Sequence, residues 1–210
     1  MGAGTVSLDV VLAPDATGSA VGDGGQGAHT GVWGMGYGAG MTVSGLTDGL
    51  TLGIYGDIRE NVAHVAAGSD STRDQFSGTW YATYSAGPVS FGYQTSYFDS
   101  GLAGTAVVAA ASPATVGTSA GVFEAESMSV AFNVNDNLSI SYTDTQDTYD
   151  AQDNETTAIA DVEKDTDALQ VAYSMGGMSI KAYRMEENNP NYDANASDSG
   201  KSEVSLSLAF

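Results

Sequence analysis

Polar and apolar residues alternate with a period of two along most of this chain, and the segments are joined by connections that are short and long in turn. The last segment shows the pattern, because Val204, Leu206, Leu208 and Phe210 share one parity while serine, glutamate and alanine fill the other. A period of two describes an extended strand with one apolar face and one polar face. Ten such segments predict an all-β chain.

The lengths of the connections restrict the fold further. The predicted short connections are 47–49, 86–88, 135–137 and 176–177, and they alternate strictly with long ones at 13–28, 60–74, 98–121, 144–166 and 186–200. Short turns on one side and long loops on the other are typical of barrels in the outer membrane. Each apolar stretch is close to the roughly 9–11 residues that a tilted strand needs to cross a bilayer. We therefore predict an antiparallel up-and-down transmembrane β-barrel of about ten strands, as one domain over 1–210.

The composition excludes several classes of protein. Six basic residues against 26 acidic ones give a formal charge of −20, so no basic surface exists for nucleic acid. No stretch of 18 consecutive apolar residues is present, which excludes a transmembrane helix. Met1 leads directly into the first strand without a charged and apolar leader. We expect either a processed chain or one that lacks its natural beginning.

The alternative to a membrane barrel is a soluble sandwich or solenoid in which each strand buries one face. Such a fold would not need turns of alternating length, and its polar parity would face bulk water with more lysine and glutamate. The polar parity here is mostly serine, threonine, glycine, glutamine and tyrosine. This composition favours the lining of an aqueous cavity.

Three segments resemble the C-terminal part of general bacterial porins, most closely those of marine alphaproteobacteria. They are the closing residues 205–210, the stretch 166–180 and the loop rich in Asn and Asp before the final strand, and the likeness is firmest over 122–210. The resemblance implies a passive channel that needs no cofactor. The implied assembly is a homotrimer in the outer membrane of a Gram-negative cell, in contact with lipid and lipopolysaccharide. It also implies that Leu206, Leu208 and Phe210 are recognised by the barrel-assembly machinery. Family members usually have sixteen strands, so this chain either lacks six N-terminal strands or is a narrower relative.

Charged residues on the polar parity are the candidates for a pore lining. Rings of charged side chains set ion preference in channels, whereas a charge at a strand end can simply meet water, and both interpretations stay open. The predicted pore-lining residues are Tyr55, Asp57, Arg59, Tyr81, Lys181 and Tyr183. Arg184 falls on the apolar parity, and we place it at the external rim. The excess of carboxylates predicts a mild preference for cations.

Asp144, Asp147, Asp150 and Asp153 recur every three residues and form a weak candidate for a calcium site. Carboxylates are the ligands that Ca²⁺ prefers, but the spacing of an EF-hand is absent. A run of this kind more often keeps a loop solvated. The apolar segment 98–121 has three interpretations, namely a constriction folded into the lumen, a contact between protomers, or a disordered tract.

Two functions compete with a channel. A structural or adhesion barrel would have the same strand pattern without conductance. Ten strands are also the size of the omptin proteases, but His29 and His64 lie in separate predicted loops and no motif connects them. We therefore expect no catalytic function.

Overall fold

The computed structural model describes residues 4–14, 33–61, 74–99, 101, 122–150 and 161–209. These residues form ten β-strands and one three-residue 3-10 helix, Pro190–Tyr192. The strands are β1 Thr5–Ala13, β2 Trp33–Ser44, β3 Leu50–Asn61, β4 Gln75–Ala86, β5 Val89–Asp99, β6 Val122–Asn135, β7 Leu138–Asp150, β8 Val162–Met175, β9 Met178–Glu187 and β10 Ser199–Leu208.

The ten strands form one sheet in sequence order, and each strand pairs antiparallel with the next. This confirms the predicted all-β, up-and-down arrangement. The first and last strands do not pair with each other, so the sheet has two edges and is not closed. Both edge strands are exposed along their whole length.

The four short connections lie where the sequence predicts them. Two-residue turns separate β4 from β5, β6 from β7 and β8 from β9, and a five-residue connection separates β2 from β3. Gly87 and Gly176 have φ angles of 58° and 56°, in the left-handed region that a tight hairpin turn requires and that glycine adopts without steric cost.

The strands extend further toward the long connections than the sequence suggests. The predicted loop 144–166 is shorter at both ends, because β7 continues to Asp150 and β8 begins at Val162. Cross-strand pairing continues there although apolar residues no longer alternate regularly with polar ones, so the end of the alternation does not mark the end of a strand. Most of the predicted loops 13–28, 60–74 and 98–121 lies outside the described residues.

The register keeps residues of like character on the same side of the sheet. Along one row, Val43 pairs with Leu52 and Leu52 pairs with Ala82. We call this side the apolar face and the opposite side the polar face. Representative residues of the apolar face, one per strand, are Leu8, Met41, Ile54, Trp80, Phe91, Val130, Ile140, Leu169, Ile180 and Leu206.

The apolar face is exposed. Trp80 is 45% exposed, Phe91 53% and Leu206 59%. Among the described residues the buried hydrophobic side chains are only Val122, Tyr149 and Val162. The sheet therefore does not cover its apolar face with its own chain in the part that the structure describes.

The polar face is filled by tyrosine rings that lie over glycines of the neighbouring strand. The Tyr55 ring covers Gly40, where a Cβ atom would come within 1.9 Å of the ring. Tyr55 also stacks on Tyr81 with ring centroids 6.5 Å apart, and its hydroxyl lies 2.6 Å from the Thr42 Oγ1 atom. The Tyr55 ring occupies the space that a side chain at Gly40 would fill, and this fixes the position of the ring.

We predict that Gly40→Ala lowers the free energy of unfolding by about 1–3 kcal/mol, because the new methyl group displaces the Tyr55 ring from a filled site. Gly56→Ala is the matched control, since its Cβ would meet the nearest atoms at 3.5 and 3.9 Å, which is ordinary contact. Urea unfolding followed by tryptophan fluorescence measures both. Equal effects of the two substitutions would contradict the proposed packing.

Candidate functional site

The apolar face carries a band of hydrophobic side chains next to the short turns. On β10 the band consists of Val204, Leu206 and Leu208, and on β7 of Leu138, Ile140 and Tyr142. Apart from Val11 and Leu46, every large hydrophobic side chain reported as exposed in the described residues lies on this face. We call this surface the apolar band.

The apolar band runs obliquely to the rows of paired residues. Val6 begins the band on β1, and the row that passes through it ends at Gly200 on β10. On β10 the band ends at Leu208, which lies eight residues beyond Gly200 along the strand. Nine strand-to-strand steps separate β10 from β1. With about 3.3 Å per residue along a strand and about 4.8 Å per step between strands, the edge of the apolar band slopes by roughly 30° relative to the rows of paired residues. The residues of the row are Val6, Val43, Leu52, Ala82, Tyr93, Met128, Asp144, Asp167, Glu186 and Gly200.

Beyond the band, toward the long connections, the apolar face becomes acidic. We call this surface on β6 to β9 the acidic belt, and its residues are Glu124, Glu126, Asp144, Asp150, Glu163, Asp165, Asp167 and Glu186. The Tyr142 hydroxyl donates a hydrogen bond to Asp167 at the boundary between the two surfaces. A groove of about 450 Å³ lies at the same boundary and is lined by Trp80, Glu124 and Glu126 among others.

The polar face carries a nearly balanced set of charges. Its carboxylates in the described strands are Asp9, Asp57, Asp147, Glu187 and Glu203, and its basic residues are Arg59, Lys164, Lys181 and Lys201. Lys164 forms an ion pair with Asp147 at 3.0 Å, and Lys201 approaches Glu203 at 3.5 Å. The acidic excess of the described strands is therefore on the other face, in the acidic belt.

All six residues predicted to line a pore lie on the polar face. The structure brings Tyr55 and Tyr81 together, and the Ser77 hydroxyl donates a 2.6 Å hydrogen bond to Asp57 beside them. Lys181 and Tyr183 lie on β9, six strands from β3 and five from β4, so the six residues do not form one cluster. The Tyr183 hydroxyl donates to Glu203 at 3.2 Å. Arg184 lies on the apolar face, where it pairs with Glu186 and is largely exposed.

An unexpected aromatic row crosses the polar face at its long-connection end. Phe98, Phe123 and Tyr149 are register partners on β5, β6 and β7. Their ring centroids are 6.1 Å apart for Phe98 and Phe123, and 4.9 Å apart for Phe123 and Tyr149. A groove of about 280 Å³ beside this row is also lined by Asp57 and Asp147.

The connection between β9 and β10 folds back over this aromatic row. We call residues 188–198 the strap. Tyr192, at the end of its 3-10 helix, makes an edge contact with Phe123 at 5.4 Å between ring centroids and contacts Tyr149 at 6.0 Å. The Lys164 ammonium lies 4.7 Å from the centroid of the Tyr192 ring. The strap thus reaches from the β9 strand to β6, over three strand-to-strand steps.

Sequence reasoning did not find the aromatic row or the strap. The available signal was three further aromatic residues, Phe98, Phe123 and Tyr149, on a parity that carries tyrosines such as Tyr55 but is otherwise mostly small and polar. Large rings at three such positions indicate a partner above that face. The partner, Tyr192, is distant in sequence.

The structure separates the candidate calcium ligands. Asp144 and Asp150 lie on the apolar face of β7 and Asp147 lies on its polar face, because a spacing of three changes parity in a strand. Asp153, Phe210, His29 and His64 lie outside the described residues, as does most of segment 98–121. Within the described ranges, no group of three or more acidic, His or Cys residues is arranged to hold a metal ion. No described helix has the length and hydrophobicity to cross a membrane.

The sequence matches no protein-family model, and a comparison with curated proteins finds no relative.

We predict that Tyr192 ionises at a higher pH than a free tyrosine, because burial raises the pKa of its phenol and the nearby Asp147 carboxylate raises it further, against the opposing effect of Lys164. Since the folded pKa exceeds the unfolded value of about 10, the neutral phenol contributes stability below pH about 10 that is lost as the pH rises through the folded pKa. The ultraviolet absorbance of tyrosinate, titrated in the original protein and in Tyr192→Phe, measures this ionisation by difference. A difference curve centred at or below pH about 10 would refute the burial of this ring.

Proposed function

We propose that this sheet is the wall of an outer-membrane pore of porin type, with the apolar band in contact with lipid and the polar face lining a water-filled lumen. Small hydrophilic solutes and ions cross it by passive diffusion, without a cofactor and without covalent chemistry. The single observation that carries the proposal is the exposed apolar band on a sheet whose other face is polar.

The hydrophobic effect supports contact between the apolar band and lipid. A large hydrophobic side chain gains about 1.5–3 kcal/mol when it is moved fully from water to an apolar environment. Soluble monomers rarely expose contiguous apolar patches larger than a few hundred Å². The apolar band extends over all ten strands, so its removal from water is favourable by an amount on the order of tens of kcal/mol. A lipid bilayer provides that environment.

The slope of the apolar band supports a bilayer in particular. Strands of membrane barrels tilt by about 35–45° from the barrel axis, so a flat slab of lipid crosses their hydrogen-bonded rows obliquely. The band drifts by roughly 30° relative to those rows, in one direction across the whole sheet. A partner protein would not need this geometry. The acidic belt then lies above the slab, toward the long connections.

The polar face supports an aqueous lumen. It is lined by serine, threonine, glycine and tyrosine, with the balanced charges of Asp57, Arg59 and Lys181 among them. Because the acidic excess of the described strands lies in the acidic belt, the preference for cations is mild and arises from local enrichment of cations at the entrance. The proposed assembly is a homotrimer in the outer membrane of a Gram-negative cell, inserted through recognition of the last strand at Leu206, Leu208 and Phe210.

One observation favours a second candidate, a structural or adhesion barrel that does not conduct. The strap covers part of the polar face through Tyr192, and a fully covered lumen would block diffusion. Conductance distinguishes the two candidates. An omptin-like hydrolase has no comparable support in the described residues.

We predict that Trp80 is quenched by bromines on lipid acyl chains, while a tryptophan at the adjacent position 81 is not. The first protein carries Trp33→Phe and keeps Trp80 on the apolar face. The control carries Trp33→Phe, Trp80→Phe and Tyr81→Trp, which moves the indole to the polar face one residue away. Fluorescence in brominated vesicles measures the quenching, and aqueous iodide should quench the control more strongly. Quenching of position 81 by lipid, with Trp80 unaffected, would refute the assignment of the faces.

We predict discrete conductance steps in planar bilayers, with K⁺ favoured mildly over Cl⁻. Lys181→Glu should shift the reversal potential further toward cations, because the charge changes inside the lumen. Arg184→Glu is the matched control on the opposite face of the same strand, and salt with a Debye length of about 8 Å should screen most of its effect. Silence of the unaltered protein would favour the non-conducting barrel. Equal shifts for both variants would argue against Lys181 as a pore-lining residue.

A further inference from the structure

The strap is held by contacts to three strands at once. Tyr192 lies against Phe123 of β6 and Tyr149 of β7, and Lys164 of β8 lies over its ring. The Asp147 carboxylate holds the Lys164 ammonium at 3.0 Å in turn. These partners all belong to the polar face. The strap therefore crosses that face and is not an extension of the sheet edge.

The backbone of the strap is shaped for this position. Asn188 continues the ladder by donating its N–H to the Asp165 carbonyl at 2.9 Å, and the Asn189 side-chain amide donates to the Glu163 carbonyl at 2.7 Å. Asn189 and Tyr192 then adopt positive φ angles of 48° and 57°. A residue other than glycine adopts this conformation at a cost, and tyrosine rarely does. The contacts of the Tyr192 ring explain why the conformation persists.

The strap returns to the sheet through a second tight turn. Asp193 accepts hydrogen bonds from the N–H groups of Asn195 and Ala196, both at 2.9 Å, before β10 begins at Ser199. The segment is rich in Asn and Asp, so its exposed side presents hydrogen-bonding groups to water. A polar segment fixed over a polar wall can narrow an aqueous channel without closing it to hydrated solutes.

We propose that the strap is the constriction of the pore and that Tyr192 is the residue that sets its size limit. This inference rests on the proposed function. The strap runs along the polar face over three strand spacings, or roughly 14 Å, from β9 to β6. Solutes must pass between the strap and the wall it does not cover. The loss of the Tyr192 anchor frees the strap and widens the passage.

The test compares Tyr192→Ala with Tyr173→Ala in vesicles. Tyr173 is the matched control, because it is a tyrosine on the apolar face of β8, the side of the sheet opposite the strap. Swelling rates with sugars of increasing size report the size limit. We expect Tyr192→Ala to admit the larger sugars at a rate raised several-fold and Tyr173→Ala to leave the limit unchanged. An unchanged limit in Tyr192→Ala, with the original protein permeable, would overturn the constriction and leave the pore intact.

A second variant keeps the test decisive if Tyr192→Ala fails to fold. Replacing residues 188–198 by Asn-Gly joins Glu187 to Ser199, which are already paired at the ends of β9 and β10. Asn-Gly is the preferred two-residue hairpin turn, so both strands keep their register. This variant should have the larger size limit too, and an unchanged limit overturns the proposal.

A readout independent of permeability separates this inference from the proposed function. The chain has no cysteine, so a spin label at Ala194→Cys reports only on the strap. We expect an immobilised spectrum that becomes mobile when Tyr192→Ala is added and stays immobilised with Tyr173→Ala. An immobilised label in an impermeable protein would refute the pore while confirming the anchor, and a mobile label in a permeable protein would refute the anchor alone.

Discussion

The register of the backbone hydrogen bonds is the constraint on which the other features of this sheet depend. Because side chains alternate in direction along a strand, a shift by one residue would exchange the two faces of that strand. All nine strand pairs keep the parity that places apolar residues together, for example Val130 beside Tyr142 and Leu206 beside Ile180. The apolar band, the acidic belt and the aromatic row each exist only because this register is maintained.

The register also explains how one sheet has three chemically different surfaces. A single row passes from Val6 through Met128 to Asp144, so the change from apolar to acidic occurs along the row as well as along each strand. The oblique boundary follows from this combination. On the opposite face, the same pairing aligns Phe98, Phe123 and Tyr149, which gives Tyr192 a continuous aromatic surface to contact.

The sequence predicts the features that depend on neighbouring residues. Turn residues such as Gly87 and Gly176 mark the tight turns, and alternation assigns the face of each strand residue, including Tyr55 and Lys181. Prediction from the sequence fails where contacts between residues distant in the chain determine the structure. The outer part of β7 is polar on both faces and looks like a loop, but pairing with β6 and β8 makes it a strand. The strap depends on the contact of Tyr192 with Phe123, which no local pattern encodes.

The open edges of the sheet lead to one further consequence of the proposed setting. Unpaired backbone N–H and C=O groups are too costly to face hydrocarbon, and open sheet edges do not occur within a bilayer. The outer edges of β1 and β10 therefore require strands beside them when the apolar band enters lipid. Leu8 and Leu206 point to the same face from opposite ends of the sheet. Whatever strand pairs with either edge must continue this alternation, because only then does the apolar band remain an uninterrupted surface around the wall.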